Sequence, residues 1–494
     1  MAASVLRRHI GVPGLVVHYL TSVLGVGLLV IPVLAWTTAG PLSLLAWAVL
    51  ILYSYPFALV FARLSTLHPT SKGVAQFVEV AFGRRAGRVA ALYLLMTLLA
   101  ANPVLGLIAG RYLVAALAPG ASNRTSLAAG AVVILACVAL NLLGVRISGR
   151  VQLAVLVVVT GALCAVMVLA LPRGSTAGLT PVAPHGWSAL GDSLLICFFG
   201  FIGWENAAPI AEEVRDPART FPRGILCAVC VVGVLYFAMA LTVALTLPSG
   251  QNTEEGLTGF TRLVRTALGG DHTTAAYLVA SVLLVLTTNA WCLGTSRVVF
   301  ALAREGIVPR GLSRISPRTG TPSRAVLALV PGYSLTLGLL AATDSNESVL
   351  IKASSAAYLL VFLLAFLSAV RLVRTGPMRW TNYLVAAVTV LMLPFMGVSV
   401  GYAAAMFAVA MLVESWLTRR ERGRAHGATT PRAHAGRTPP RAPQDTPHDT
   451  PPQHHHPSDH HPSDHHPRDL HPRHNEPRHD QPRHDQPRHD QRER

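Results

Sequence analysis

Gly200 and Gly203 interrupt an apolar run that begins after Asp192, and a carboxylate, Glu205, follows two residues after the second glycine. Glycine is a poor helix former, so two of them three residues apart weaken a helix and free backbone N–H and C=O groups. Inside hydrocarbon such groups are tolerated only where protein or a water-filled cavity supplies partners. Freed amides suit a carboxylate, freed carbonyls suit an ammonium group, and a buried ionisable side chain marks a functional site by default. A second apolar run carries a related feature: Ser22, Val23, Gly25, Val26 and Gly27, closed by Pro32. The chemistry open to these two segments is noncovalent recognition of a small polar molecule by backbone groups, with one carboxylate able to exchange a proton.

The elements that must position these residues are membrane spans. The chain has 494 residues, of which 52% are hydrophobic and 13% charged, against roughly a quarter charged in soluble domains. Apolar runs near the length of roughly 20 residues that crosses a bilayer recur at 14–38, 41–64, 88–117, 125–144, 150–171, 192–211, 224–247, 273–301, 325–342, 349–370, 381–398 and 400–416. The glycine pairs fall in the first and sixth of these, five spans apart. Interrupted helices at matching places in two halves are the sequence pattern of a mid-membrane site built on inverted repeats. The plainer reading of Gly25 and Gly27 is close helix packing.

Leaving out the residues from 418 onward, placing the N-terminus in the cytoplasm puts 21 Lys and Arg side chains inside and 6 outside, which fixes the expected orientation and returns the C-terminus to the cytoplasm. The run after Arg7 and Arg8 is too long for a secretory signal and lacks a small-residue cleavage site, so it reads as a retained span. The formal charge of +17 then follows from topology and argues for no nucleic acid partner. All six cysteines lie in expected spans; Cys227 and Cys230 stand three apart on one helix face but have no second pair or nearby His, so the six read as small buried hydrophobes rather than metal ligands.

Between the spans, His68–Gly87 reads as a connector carrying an interfacial helix over Val74–Phe82. His18, Asn102 and Asn141 read as hydrogen-bonding devices inside the bundle. Glu212, Glu213, Arg215 and Asp216 beside Pro217 and Pro222 predict a structured, ion-paired cytoplasmic turn, an inner gate. The loop Pro248–His272 is expected outside, over an outer vestibule, and the eighth span ends at Gly306 and Pro309. From residue 418 onward apolar residues nearly vanish and His, Pro, Arg and Asp repeat, so residues 418–494 are expected to be a disordered cytoplasmic tail. The expected organisation is a cytoplasmic N-terminus over 1–13, a transmembrane domain over 14–417, and that tail.

Three segments resemble the amino acid/polyamine/organocation (APC) transporter superfamily: SVLGVGLLVIP from Ser22, FFGFIGWENAAPIAEEVRDPARTFPRGI from Phe198 and SRVVFALAREGIVP from Ser296. The connector HPTSKGVAQFVEVAFG and the sixth-span segment most resemble bacterial exporters of methionine and branched-chain amino acids. The resemblance implies an all-α membrane protein of twelve transmembrane helices: two inverted five-helix repeats, two additional helices, and broken first and sixth helices. It implies a plasma-membrane secondary active transporter of small neutral L-amino acids working by alternating access, with an importer or exchanger as the alternative within the superfamily. The substrate's carboxylate would meet the backbone of Ser22, Val23, Gly25, Val26 and Gly27, and its amine that of Phe199, Gly200, Ile202 and Gly203. Val26 departs from the small polar residue many relatives carry, which leaves the carboxylate to backbone groups alone. Phe199 matches an aromatic gate, Trp291 a substrate-stacking tryptophan, and Glu205 a glutamate of gating and proton coupling. Thr287 and Thr288 are candidates to help form a cation site, since the fifth span has no Lys to replace a coupling ion. No cofactor or metal is implied. From other classes, a sensor that binds without transport remains an alternative, while a metal transporter or membrane enzyme would need ligand or nucleophile–base groupings that the spans lack.

Overall fold

The computed structural model describes residues 8–68, 70–144, 149–247, 258–269, 272–343 and 347–428. All of these fall in one unit, Met1–Thr430; the tail beyond Ala428 and the first part of the Pro248–His272 loop lie outside the described residues. The described chain is helical, in the order α1 (Val12–Leu29), α2 (Ile31–Ala39), α3 (Leu42–Leu67), α4 (Val74–Phe82), α5 (Arg84–Leu117), α6 (Asn123–Leu142), α7 (Gly149–Ala170), α8 (Ala189–Phe199), α9 (Pro217–Thr246), α10 (Thr258–Leu268), α11 (Thr273–Arg304), α12 (Ser323–Leu327), α13 (Leu329–Thr343), α14 (Glu347–Leu372), α15 (Met378–Met392) and α16 (Ser399–Ala428). Among the described residues one isolated parallel bridge, Ile10 with Val214, is the extended pairing that joins them.

Ten of these helical stretches are long and apolar enough to cross a membrane, and the protein is a multi-pass membrane protein. The expected spans 192–211 and 381–398 are the two that fall short. α8 has 11 residues and gives way at Gly200, and α15 has 15 residues and passes into a 3-10 turn, Leu393–Met396, at Pro394. The expected count of twelve therefore reduces to ten by helix length.

Burial separates a central layer from a peripheral one. The apolar window of α5 is 78% buried and that of α16 17%, so α5 stands in the middle and α16 presents most of its surface to lipid. Val398, Leu412, Leu391 and Val158 are among the exposed large hydrophobics that only a bilayer would cover. At the centre, Phe57 and Phe61 of α3 meet Phe362 and Phe366 of α14 edge to face, with centroids 4.8–5.7 Å apart; such pairs favour offset or T-shaped geometry. Phe198 joins this cluster from α8 through Phe362 at 5.8 Å. The connector helix forms as expected, and Val74, Phe77 and Val78 of α4 are buried.

Candidate functional site

The interruption in the sixth run falls where the glycines predict. α8 ends at Phe199, Gly203 adopts φ 133°, and only 3-10 turns, Trp204–Ala207 and Ala211–Glu213, separate it from α9. Gly203 is doubly required: a side chain rarely adopts that φ, and a Cβ would stand 2.8 Å from the Ser22 carbonyl oxygen.

The first run differs from expectation. α1 continues as regular helix through Ser22, Val23, Gly25, Val26 and Gly27, and the interruption lies at Val30. Pro32 is its cause, because it has no N–H for the Leu28 carbonyl and its ring crowds that oxygen. The Val30 N–H still reaches Val26 O at 2.9 Å. Gly25 and Gly27 instead permit close approach. A Cβ on Gly27 would strike the Tyr236 hydroxyl and crowd Gly200 Cα, and one on Gly25 would strike Thr287 Oγ1.

α1 and the interrupted segment meet in a buried polar junction. Asn206 Nδ2 donates to Ser22 Oγ (3.1 Å) and to Ala290 O (3.2 Å), and His18 Nε2 lies 3.2 Å from Asn206 O. Trp291 Nε1 donates to Ser22 O at 2.8 Å, and its ring stands edge-on to Tyr358, centroids 5.7 Å apart. The Tyr236 hydroxyl lies 2.6 Å from Val23 O and 2.7 Å from Gly200 O, so one proton serves carbonyls of both segments. Glu205 is buried, and its Oε2 accepts from the Gly203 N–H at 2.9 Å. Its Oε1 has no partner among the described residues. Phe199 and Ile202 are buried at the same level of the chain. Thr287 and Thr288 donate back to Leu283 O and Leu284 O of their own helix, and among the described residues no group of His, Cys, Asp or Glu could hold a metal ion.

Asn206 and Tyr236 are the residues that sequence reading missed. Asn206 sits beside Glu205 in an apolar run and could have been flagged as a polar residue at membrane depth; nothing in α9 marks Tyr236 apart from other span tyrosines. His18, Asn102 and Asn141 behave as expected: Asn102 donates to Thr295 Oγ1 (2.9 Å) and Tyr333 Oη (2.6 Å), Asn141 to Asn289 Oδ1 (2.9 Å).

The turn after the interrupted segment is ion-paired, as its mixed charges predict: Asp216 faces Arg219 within it at 3.6 Å, whereas Glu212 and Glu213 take partners from α11. Arg297 Nε donates to Glu213 Oε1 at 2.8 Å with both side chains buried, and Arg304 Nη1 lies 3.3 Å from Glu212 Oε2. The His9 and Ile10 amides donate to Glu213 O, and the Arg215 amide to Ile10 O. Lys72 pairs with Glu79 and with Glu305, the latter at 2.6 Å. A cavity of about 400 Å³ opens at this end between the start of α1, the end of α6 and α11; His18 and Ala290 at its inner wall both contact Asn206.

The family model for amino acid permeases matches residues 10–420. An uncharacterised amino acid permease of Bacillus subtilis, YecA, is 28% identical over 359 residues, 73% of this chain and 84% of the relative. The L-methionine/branched-chain amino acid exporter YjeH of Escherichia coli is 26% identical over 401 residues, 80% of this chain and 92% of the relative. The branched-chain amino acid permease BcaP of Bacillus subtilis is 27% identical over 337 residues, 64% and 71% of the two chains. The match spans the interrupted segment, its Ser22–Asn206–Trp291 junction and the ion-paired turn alike, and the chain belongs to the amino acid permease family of the APC superfamily.

Proposed function

We propose that the protein is a secondary active transporter of small neutral, apolar L-amino acids, working by alternating access in the plasma membrane with both termini in the cytoplasm. The observation that carries this reading is the buried junction of α1 with the segment after α8, where Gly203, Glu205 and Asn206 supply backbone and polar groups at the centre of a membrane bundle. The transporter domain is 14–417 continued by the end of α16 to Ala428, past the tail boundary that composition suggests, and it lies between a short cytoplasmic N-terminus and a dispensable tail. Its two further spans are α8 with its 3-10 continuation and α15 with Leu393–Met396, which complete two inverted five-helix repeats and two additional helices.

The substrate's ammonium group is assigned to the carbonyls of Phe199, Gly200, Ile202 and Gly203, and its carboxylate to the amides around Ser22, Val23, Gly25, Val26 and Gly27. Those amides sit in the α1 ladder, so α1 must loosen locally to receive the carboxylate. The interruption at Val30 supplies the slack. Phe199 and Trp291 close over the side chain, and Glu205, with one oxygen unpaired, takes the coupling proton. The names of YjeH and BcaP both specify branched-chain amino acids, which supports an apolar side chain; the match to YjeH over most of both chains supports export.

Counterflow tests the reading. Proteoliposomes preloaded with unlabelled leucine or methionine are expected to accumulate the labelled amino acid from outside. Folded, inserted protein that gives no counterflow with any amino acid would sink it.

A further inference from the structure

The Glu213–Arg297 pair does more than fasten two elements. Both side chains are buried, yet both line the 400 Å³ cavity, which is within the size of small-molecule sites. Arg297 spends Nε on Glu213 Oε1 and Nη1 on Ser296 Oγ (3.3 Å). Among the described residues Nη2 has no hydrogen-bond partner, and it is not among the fully enclosed unpaired atoms. Glu213 Oε2 faces His9 Nδ1 at 4.0 Å, too long for a hydrogen bond. Val17, Ile210 and Leu293 supply an apolar wall. A guanidinium with a donor to spare, a carboxylate whose second oxygen has only His9 at ion-pair distance, and an apolar surface, all in one cavity, are the complement of an amino acid zwitterion.

We infer that this cavity is a second, vestibular binding site for an α-amino acid, its carboxylate taken by Arg297 and its ammonium group by Glu213, one step from the central junction. This rests on the transporter reading but assigns a site distinct from the central one. A zwitterion adds no net charge to the buried pair. A ligand lacking either charged group would add a net charge to the buried pair, which is costly away from water. The site therefore selects for both charged groups through side-chain charges, while the central junction meets them with backbone groups and reads the side chain through Phe199 and Trp291.

The experiment is equilibrium dialysis of the detergent-purified full chain against radiolabelled L-leucine, with 4-methylpentanoate and isoamylamine as competitors that each lack one charge. The wild type is expected to bind a second saturable equivalent that neither competitor displaces well. Two variants remove it by different means. Gly14→Leu fills the cavity, since a Cβ there meets only Ile10 at ordinary contact distance, 3.4 Å; Glu213→Gln with Arg297→Gln removes both charges and strands neither. Both are expected to lose the second equivalent and keep the first, whereas Trp291→Leu loses the first. A single equivalent, abolished in Trp291→Leu and untouched in the other two variants, would overturn the vestibular site and leave the transporter standing. Folded wild type that binds no amino acid would overturn both.

Discussion

Gly203 combines a left-handed φ with the carbonyl of Ser22 in the space a side chain would need. Substitution by Ala adds backbone strain of about 1–3 kcal/mol and pushes α1 away from the interrupted segment. Counterflow in Gly203→Ala is expected to fall roughly tenfold or more while the protein still inserts and elutes as a single species. Glu205 separates two roles. Its Oε2 holds the Gly203 amide, which an amide oxygen can also do, whereas only a carboxylate exchanges a proton. Glu205→Gln is therefore expected to keep thermal stability near wild type and to flatten the pH dependence of transport. If the dependence persists unchanged, Glu205 is a structural cap and the coupling proton sits elsewhere. Asn206 faces the harder test, since its amide meets two acceptors from α1 and α11. Asn206→Leu is expected to destabilise by about 1–3 kcal/mol, read as a lower midpoint in thermal unfolding.

Elements meet these residues through two interruptions of different origin. The one after α8 is set by glycine and is irregular over a long stretch; the one in the first run is set by Pro32 and costs the ladder little, because Val30 keeps its bond to Val26. Restoring the missing donor with Pro32→Ala should fuse α1 and α2 and add about 1 kcal/mol of stability, at the expense of transport rate. A faster transporter would show that the Val30 turn is not the hinge. The Glu213–Arg297 pair is likewise an element-scale tie, between the segment after α8 and α11. Arg297→Gln alone leaves a buried carboxylate unpaired and is expected to cost about 3–5 kcal/mol. Removing both charges should recover most of that, and thermal unfolding of the double-mutant cycle measures the difference.

At the scale of the whole molecule, much was legible before any coordinates. Hydropathy gave the spans that rely on length alone, and Gly200, Gly203 and Pro32 are breakers whose effects are local. The exact place of the first interruption was not legible from Gly25 and Gly27, because glycine permits a break without requiring one, and tertiary contact with Tyr236 and Thr287 favours helix there. The pairing of Glu212 and Glu213 with α11 rather than with nearby Arg215 or Arg219 depends on long-range docking that no local pattern encodes.

The last helix adds a consequence of its own. α5 is 34 residues long, about 51 Å at 1.5 Å per residue, so it outreaches a hydrocarbon core of about 30 Å. Its first turns carry Arg85, bonded to Glu414 at 3.1 Å, and Arg88, bidentate to Glu421 at 3.0 and 3.1 Å. Truncation after Ala428 is expected to leave counterflow intact, whereas truncation at Arg419 removes Glu421 and should lower thermal stability. With little of its surface buried, α16 is a peripheral flank held by a narrow apolar stripe through Ala403, Met406 and Ala410 and buttoned by charge at its C-terminal end. Ionic strength reaches that button where Glu421 meets water, so concentrated salt in detergent should loosen the flank before it disturbs the junction at Asn206.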